Sequence, residues 1–299
     1  MTAPDRDPSG FRLHKGRGPT WIWIESDRIE ACMAHYREQS LTRIAVDPLM
    51  GYALPDLEFL KDHRYVRGVN LPDAAKLNVS ALRYLDRLEY LLISDSKQPL
   101  DLTEFPQLRE FRSEWHPKLR ITPECRRLRV LHLRRYKPKT KDLSELAALP
   151  ALEDLSIVQS PLTSIRGVGR YRLLKRLELS YLTKLESIAG IEKLNDSRLE
   201  ILECEKCKKI RDHAVVRTVP SLRVVRFNDC GEIPSIGFLD DMPNLEDFRF
   251  VNTNVVDGDL RPLLRLKSAG FFKKKHYSHT PEEVDEILAA NAAASKTNR

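Results

Sequence analysis

The chain has no run of apolar residues approaching the roughly 18 that a membrane-spanning helix needs, which excludes a helical bilayer span. Its opening, MTAPDRDPSGFRLHKGRG, lacks the apolar centre of a secretion signal. Cysteine is scarce. There are five in 299 residues, odd in number and irregularly placed, which argues against a disulfide framework and predicts reduced thiols in a cytoplasmic protein. The sequons at Asn78 and Asn195 are then incidental. Catalytic signatures are missing as well: there is no GxSxG, HExxH or Walker sequence, and Gly167-Val168-Gly169 lacks the surroundings of a phosphate or dinucleotide loop. The eight histidines are scattered, none beside an evident nucleophile. These absences predict a protein that is not an enzyme and holds no cofactor. Apolar residues, at 41%, fall below the globular average of roughly 45–50%, as suits a thin fold that keeps one surface of every segment in water. Neither sign of charge is lacking: 50 Lys and Arg are interspersed with 43 Asp and Glu, giving +7 and a pI near 9.1. That balance permits polyanion binding without dictating it.

What the chain does have is a recurring frame, apolar-x-x-apolar-x-apolar, about every 22 residues. It reads Leu88-Leu91-Ile93, Leu108-Phe111-Ser113, Leu128-Leu131-Leu133, Leu152-Leu155-Ile157 and Leu174-Leu177-Leu179. It continues as Leu199-Leu202-Cys204, Leu222-Val225-Phe227 and Leu245-Phe248-Phe250. Degenerate copies stand at Leu41-Ile44-Val46, Val66-Val69-Leu71 and Leu266-Ala269-Phe271. Alternation inside each copy predicts a short strand, with Leu177 and Leu179 inward and Arg176, Glu178 and Ser180 outward. Arg176 is therefore expected to tolerate charge reversal and Leu177 to reject it. The segments that lead back, such as Leu182, Leu185, Ile188 and Ile191, leave room for 3-10 turns or short helices. Strands are then more tightly spaced than returns, so the stack should curve with a parallel sheet on its concave face.

The ends differ from the repeats. Residues 1–19 have no apolar periodicity and are predicted to be a mobile leader. Residues 20–40 form an N-terminal cap: a strand from Trp21, then a helix over about 28–39 that Asp27 could cap. The repeats occupy 41–272. Residues 273–299 supply a C-terminal cap, whose helix opens on Thr280-Pro281-Glu282-Glu283, a hydroxyl cap with proline and glutamate correctly placed. One elongated domain results.

Over about 41–272 these residues resemble the leucine-rich repeat superfamily. Leu174 to Leu194 is similar to the 22-residue class of internalins, and Leu199 to Asp212 to the cysteine-containing class. The resemblance implies an α/β solenoid, a curved horseshoe with helical or 3-10 returns on the convex face and helical caps. It also implies protein–protein interaction on the concave face. The family places Asn or Cys eight residues beyond the first leucine. This chain keeps Cys207 and Cys230 there but otherwise departs from it, with Ser96, His116, Tyr136, Ser160, Leu182 and Thr253 at the position.

Cys204-Glu-Lys-Cys207, read alone, suggests a redox pair or half a zinc site. In register, Cys204 is a core position and Cys207 and Cys230 are turn positions, and no second pair completes a tetrahedron, so no metal is expected. His276 and His279 beside Lys273–Lys275 read as a solvated loop. The outward columns carry more information. A basic zone comprises Arg112, His132, Arg134 and Arg135, rimmed by Trp115 and Tyr136; an acidic zone comprises Glu178, Glu203 and Glu205, followed by Arg226 and Arg249. The reading that follows is a protein-binding scaffold that presents Arg112, His132, Arg134, Glu178, Glu203, Glu205, Arg226 and Arg249 to another protein, with no membrane partner. The alternative is RNA binding by the basic leader, the basic zone and Lys273–Lys275. A hydrated sheet, with Arg226 neutralising its acidic neighbours, is the plain reading of the same residues.

Overall fold

The computed structural model describes residues 6–14 and 19–297. The chain divides into two compact units after Leu133, where the repeat spacing predicts one array. The first unit contains β1 (Leu13–His14), β2 (Trp21–Trp23), α1 (Ile29–Glu38), β3 (Arg43–Ala45), β4 (Gly68–Leu71), β5 (Tyr90–Ile93), β6 (Leu100–Asp101), β7 (Glu110–Glu114) and β8 (Leu119–Arg120). Strand β9 (Val130–Arg134) lies at the division. The second unit contains β10 (Asp154–Val158), β11 (Arg176–Ser180), β12 (Ile201–Glu205), β13 (Val224–Asn228), β14 (Asp247–Arg249), β15 (Ser268–Gly270) and α2 (Pro281–Thr297).

In both units the frame sets the register. Ile22, Ile44, Val69, Leu91 and Phe111 lie side by side on parallel strands of the first unit. Leu155, Leu177, Leu202, Val225, Phe248 and Ala269 do so in the second. Apart from Ala269, these residues are fully buried, because every second side chain of a strand faces the chain that returns beneath it. The returns are mostly 3-10 turns, among them Ser80–Tyr84, Val168–Arg170, Ile191–Leu194 and His213–Thr218. In seven repeats the chain turns beyond the strand through a left-handed residue seven places after the first leucine: Asp95, Arg135, Gln159, Tyr181, Lys206, Asp229 and Asn252. Among the described residues, the repeat starting at Leu108 has no such turn; its exit is instead held by β8, which pairs with β6 in a separate two-stranded ladder.

The N-terminal end differs from the reading of the composition. Residues 6–14, assigned to a mobile leader, are folded: β1 pairs antiparallel with β2, and Arg6 reaches the buried Glu25 carboxylate at 2.6 Å. Arg28 and Arg12 approach the same carboxylate at 3.3 and 3.7 Å, so one buried acid organises three cations from two segments. The remainder of the leader, 1–5 and 15–18, lies outside the described residues. Asp27 does not cap α1. The cap position is Arg28, which has no side-chain cap bond; its amide donates to the Glu25 carbonyl. At the other end, the Thr280 amide donates to Glu283 Oε2 at 2.8 Å and the Glu283 amide donates to Thr280 Oγ1 at 3.3 Å. This reciprocal pair starts α2, which buries Val284 and Leu288.

Candidate functional site

The solvent side of the second unit's sheet has three columns. The first is Asp154, Arg176, Ile201, Val224, Asp247 and Ser268; the second is Ser156, Glu178, Glu203, Arg226, Arg249 and Gly270. The third is Val158, Ser180, Glu205 and Asn228. Adjacent strands lie about 4.8 Å apart, close enough for charged side chains to reach their neighbours. Glu178 and Glu203 are thus side by side, as the sequence predicts, but they do not stand bare. Arg176 bridges them, bonding Glu203 and contacting Glu178 at 3.2 Å. Arg226 bonds Glu203 from the opposite side and Asp247 at 3.1 Å. Arg249 then pairs with Asp247 at 3.0 Å and donates to Ser268 at 3.1 Å. Burial alone would lower the Arg226 pKa, but the Asp247 and Glu203 carboxylates more than offset it and hold it above its ordinary value.

The expectation that Arg176 is a dispensable outward residue is therefore corrected. It shares the neutralising role assigned to Arg226 alone, and Asp247 joins the two outer arginines. Glu205 differs from its neighbours: it is exposed and, among the described residues, has no hydrogen bond or ion pair through its side chain. On this face Arg176, Arg226 and Arg249 meet Asp154, Glu178, Glu203, Glu205 and Asp247, so the array as a whole is acidic.

Residues of the expected basic zone fall in different units. In the first, Arg112 Nε pairs with Glu110 Oε1 at 2.7 Å, and Arg43 approaches the same carboxylate at 3.3 Å while stacking over Tyr90 at 3.5 Å. His132 is half-buried on β9. Arg134 belongs to the second unit, where it donates to Gln159 Oε1 at 3.0 Å. Arg135 and Trp115 are exposed and half-buried respectively, and Tyr136 is buried. Of the other cations in the RNA alternative, Lys274 donates to Asn254 at 2.8 Å, and Lys273 and Lys275 are exposed.

One set of charges escaped the sequence reading. The residue preceding each strand of the second unit forms a ladder: Glu153, Lys175, Glu200, Arg223, Glu246, Lys267, joined by consecutive backbone hydrogen bonds. Sign alternates at every step, with pairs at 2.9 Å (Lys175–Glu153), 2.8 Å (Arg223–Glu246) and 3.0 Å (Lys267–Glu246). The signal stands one residue after each first leucine.

Cys207 and Cys230 belong to the turns, and Cys204 to β12. Cys207 Sγ donates to the Leu179 carbonyl at 3.3 Å, Cys230 Sγ to the Cys204 carbonyl at 3.4 Å, and Thr253 Oγ1 to the Phe227 carbonyl at 2.6 Å. Each reaches back to the third frame position of the preceding coil, so Cys, Cys and Thr satisfy buried carbonyls at successive turns. Burial pushes the Cys204 thiol well up, and its contact with Cys207 together with burial raises Cys230. Among the described residues no three His, Cys, Asp or Glu side chains are grouped to hold a metal. Purified protein is expected to contain no stoichiometric zinc by elemental analysis, and Cys207→Ser to cost about 1–2 kcal/mol in urea unfolding, since the buried site was shaped for a thiol. One equivalent of zinc lost on that substitution would refute this assignment.

Parallel strands in frame register and 3-10 returns recur in both units, and the second adds a run of left-handed exit turns and a side-chain ladder. Each unit has the fold of a leucine-rich repeat solenoid. No protein-family model matches the chain, and no curated protein matches it. Among solved structures, an internalin (InlF) of Listeria monocytogenes is similar at 15% identity and TM-score 0.41, over 81% of this chain and 86% of that one. The functional domain of InlJ from the same organism, which includes a cysteine ladder, is similar at 18% identity and TM-score 0.43, over 78% and 64%. The PEPR1–AtPEP1 complex follows at 14% identity and TM-score 0.30, over 90% and 46%. Similarity at this level carries no information on function. No helix among the described residues is long and apolar enough to cross a membrane.

Proposed function

We propose that this leucine-rich repeat chain is a non-enzymatic, cytoplasmic protein-binding scaffold, and that the outward face of β11 to β14 carries its site. The observation that supports this most is the network Glu178–Arg176–Glu203–Arg226–Asp247–Arg249, which holds its members in place before any partner arrives. Binding to an ordered array loses little side-chain entropy. The excess of carboxylate over guanidinium suits a basic segment of another protein, and Glu205 is the acid available to pair with it.

The test is Glu205→Lys, which reverses charge without breaking an ion pair. Capture of the principal protein partner from the native cell should fall about tenfold or more, the equivalent of roughly 1.4 kcal/mol, with unchanged thermal stability. Reversing Glu203 is a poorer test, because the new ammonium would sit between Arg176 and Arg226 and lower stability for its own reasons. If Glu205→Lys leaves capture intact, the site is not on this face.

A further inference from the structure

Away from the strands, two successive returns of the second unit carry one pattern: Ser164-Ile165-Arg166-Gly167-Val168-Gly169-Arg170 and, a repeat later, Ser187-Ile188-Ala189-Gly190-Ile191-Glu192-Lys193. Ile165, Val168, Ile188 and Ile191 are buried, and the other residues line an open groove of about 640 Å³ together with Arg172. The glycines bring the coils together: a Cβ on Gly167 would lie 2.8 Å from the Ser144 nitrogen, and one on Gly169 would lie too close to the Lys193 side chain. Between the coils the groove floor is therefore short of side chains, and its walls are cationic.

Those cations are positioned. Arg166 Nε pairs at 2.9 Å with Asp142, a buried carboxylate that also accepts from the Ser144 amide at 2.9 Å. Burial opposes the Asp142 charge, but hydrogen bonds from Ser144 and Thr140 bring its pKa down to about 2, so it stays ionised beneath the arginine. Arg170 Nη1 donates to the Ser144 and Leu146 carbonyls at 3.1 and 2.9 Å, and Arg172 Nη1 to the Lys193 carbonyl at 3.1 Å. Each arginine spends part of its donor set on its own protein; the rest, and the Lys193 ammonium, have no partner among the described residues. Two carboxylates adjoin the lining: Glu192 accepts from the Gly190 amide at 2.6 Å, and Asp212 accepts from Ser187 Oγ at 2.5 Å and the Ala189 amide at 3.0 Å.

We propose that this groove binds the phosphodiester backbone of a single-stranded nucleic acid, with Arg166, Arg170, Arg172 and Lys193 contacting its phosphates. Anchored guanidinium forks match phosphate geometry. An open groove that continues across coils suits a chain rather than an enclosed small molecule. No aromatic ring lines it, so recognition is of the backbone and not of base identity. The surface is distinct from the sheet face and the inference does not rest on the function proposed for it.

The test is fluorescence anisotropy of the full chain with labelled 12-nucleotide oligouridylate and oligothymidylate. Both should bind at 50 mM salt, with log affinity falling against log salt at a slope of about −3, as four phosphate contacts imply. Arg172→Glu with Lys193→Glu should lower affinity by about tenfold or more and flatten the slope by about 1.4. Arg166→Gln, which leaves the other Asp142 hydrogen bonds in place, should weaken binding with an unchanged melting temperature, and Glu205→Lys should not weaken it. Four results would overturn the proposal: no binding at 50 mM salt; both groove variants binding as wild type does; binding lost equally through Lys273→Glu with Lys275→Glu; or inorganic polyphosphate bound while neither oligonucleotide is.

Discussion

Leu177→Asp is expected to unfold the second unit, while Arg176→Asp, one residue away, leaves it folded but weakened. Leu177 is fully buried between Leu155 and Leu202 on the adjoining strands. Replacing it forfeits about 2–3 kcal/mol of apolar burial and places a carboxylate where no cation or water reaches, a further cost of several kcal/mol. The sum rivals the roughly 5–15 kcal/mol that holds a domain together. In a stack stabilised coil against coil, the damage spreads to both neighbours. Arg176→Asp acts through charge instead. It deletes the bridge between Glu178 and Glu203 and adds another acid to a face that already includes Asp154. Exposed pairs contribute up to about 1 kcal/mol each, so about 1–2 kcal/mol is expected, smaller in about 0.5 M salt. Thermal and urea unfolding at two salt concentrations measure both. Equal melting temperatures for the two variants would mean that the register is wrong.

The register was legible because burial repeats: a frame of three apolar positions, copied every coil, leaves one way to face the strands. The same logic places Cys204, Cys207 and Cys230 correctly, since position within the repeat, and not the CxxC spelling, decides what a cysteine touches. Pairing on the outer face was only half legible. The columns follow from the register, so Glu178 beside Glu203 could be read directly. That Arg176 reaches diagonally from the first column of one strand to the second column of the next could not, because long side chains choose among several neighbours. The alternating ladder from Glu153 to Lys267 is written in the sequence too, but in the residue that enters each strand and not in the outward columns of the strand itself. The N-terminal segment misleads for a different reason. Arg6 and Arg12 look like solvated charge until a buried acid far along the chain, Glu25, is seen to gather them.

Acid should destabilise the second unit through His213, and His213→Phe should remove that sensitivity. The imidazole is almost fully buried in the 3-10 turn His213–Thr218, edge-on to Phe227 at 4.8 Å, and neither ring nitrogen has a hydrogen-bond partner among the described residues. Burial lowers its pKa from 6.5 to about 4; neighbouring Asp212 pulls upward and Arg211 downward, and neither reverses the effect. Because the folded pKa lies below the unfolded one, stability is complete above pH 6.5, where both states are neutral. As pH falls from 6.5 towards 4, the unfolded chain takes up a proton that the folded chain refuses, and stability drains away; below 4 the loss is complete. A shift of that size corresponds to about 3 kcal/mol. Phenylalanine keeps the edge contact with Phe227 and has no buried nitrogen left unpaired, so at about pH 7.5 the variant should match wild type within about 1 kcal/mol. At about pH 4.5 it should be more stable by about 2 kcal/mol, and the difference between the two proteins isolates His213 from the carboxylates and His116, which are common to both. Urea unfolding at half-unit pH steps reads this out directly. Parallel stability profiles for the two proteins would show that the imidazole is not held neutral by its surroundings.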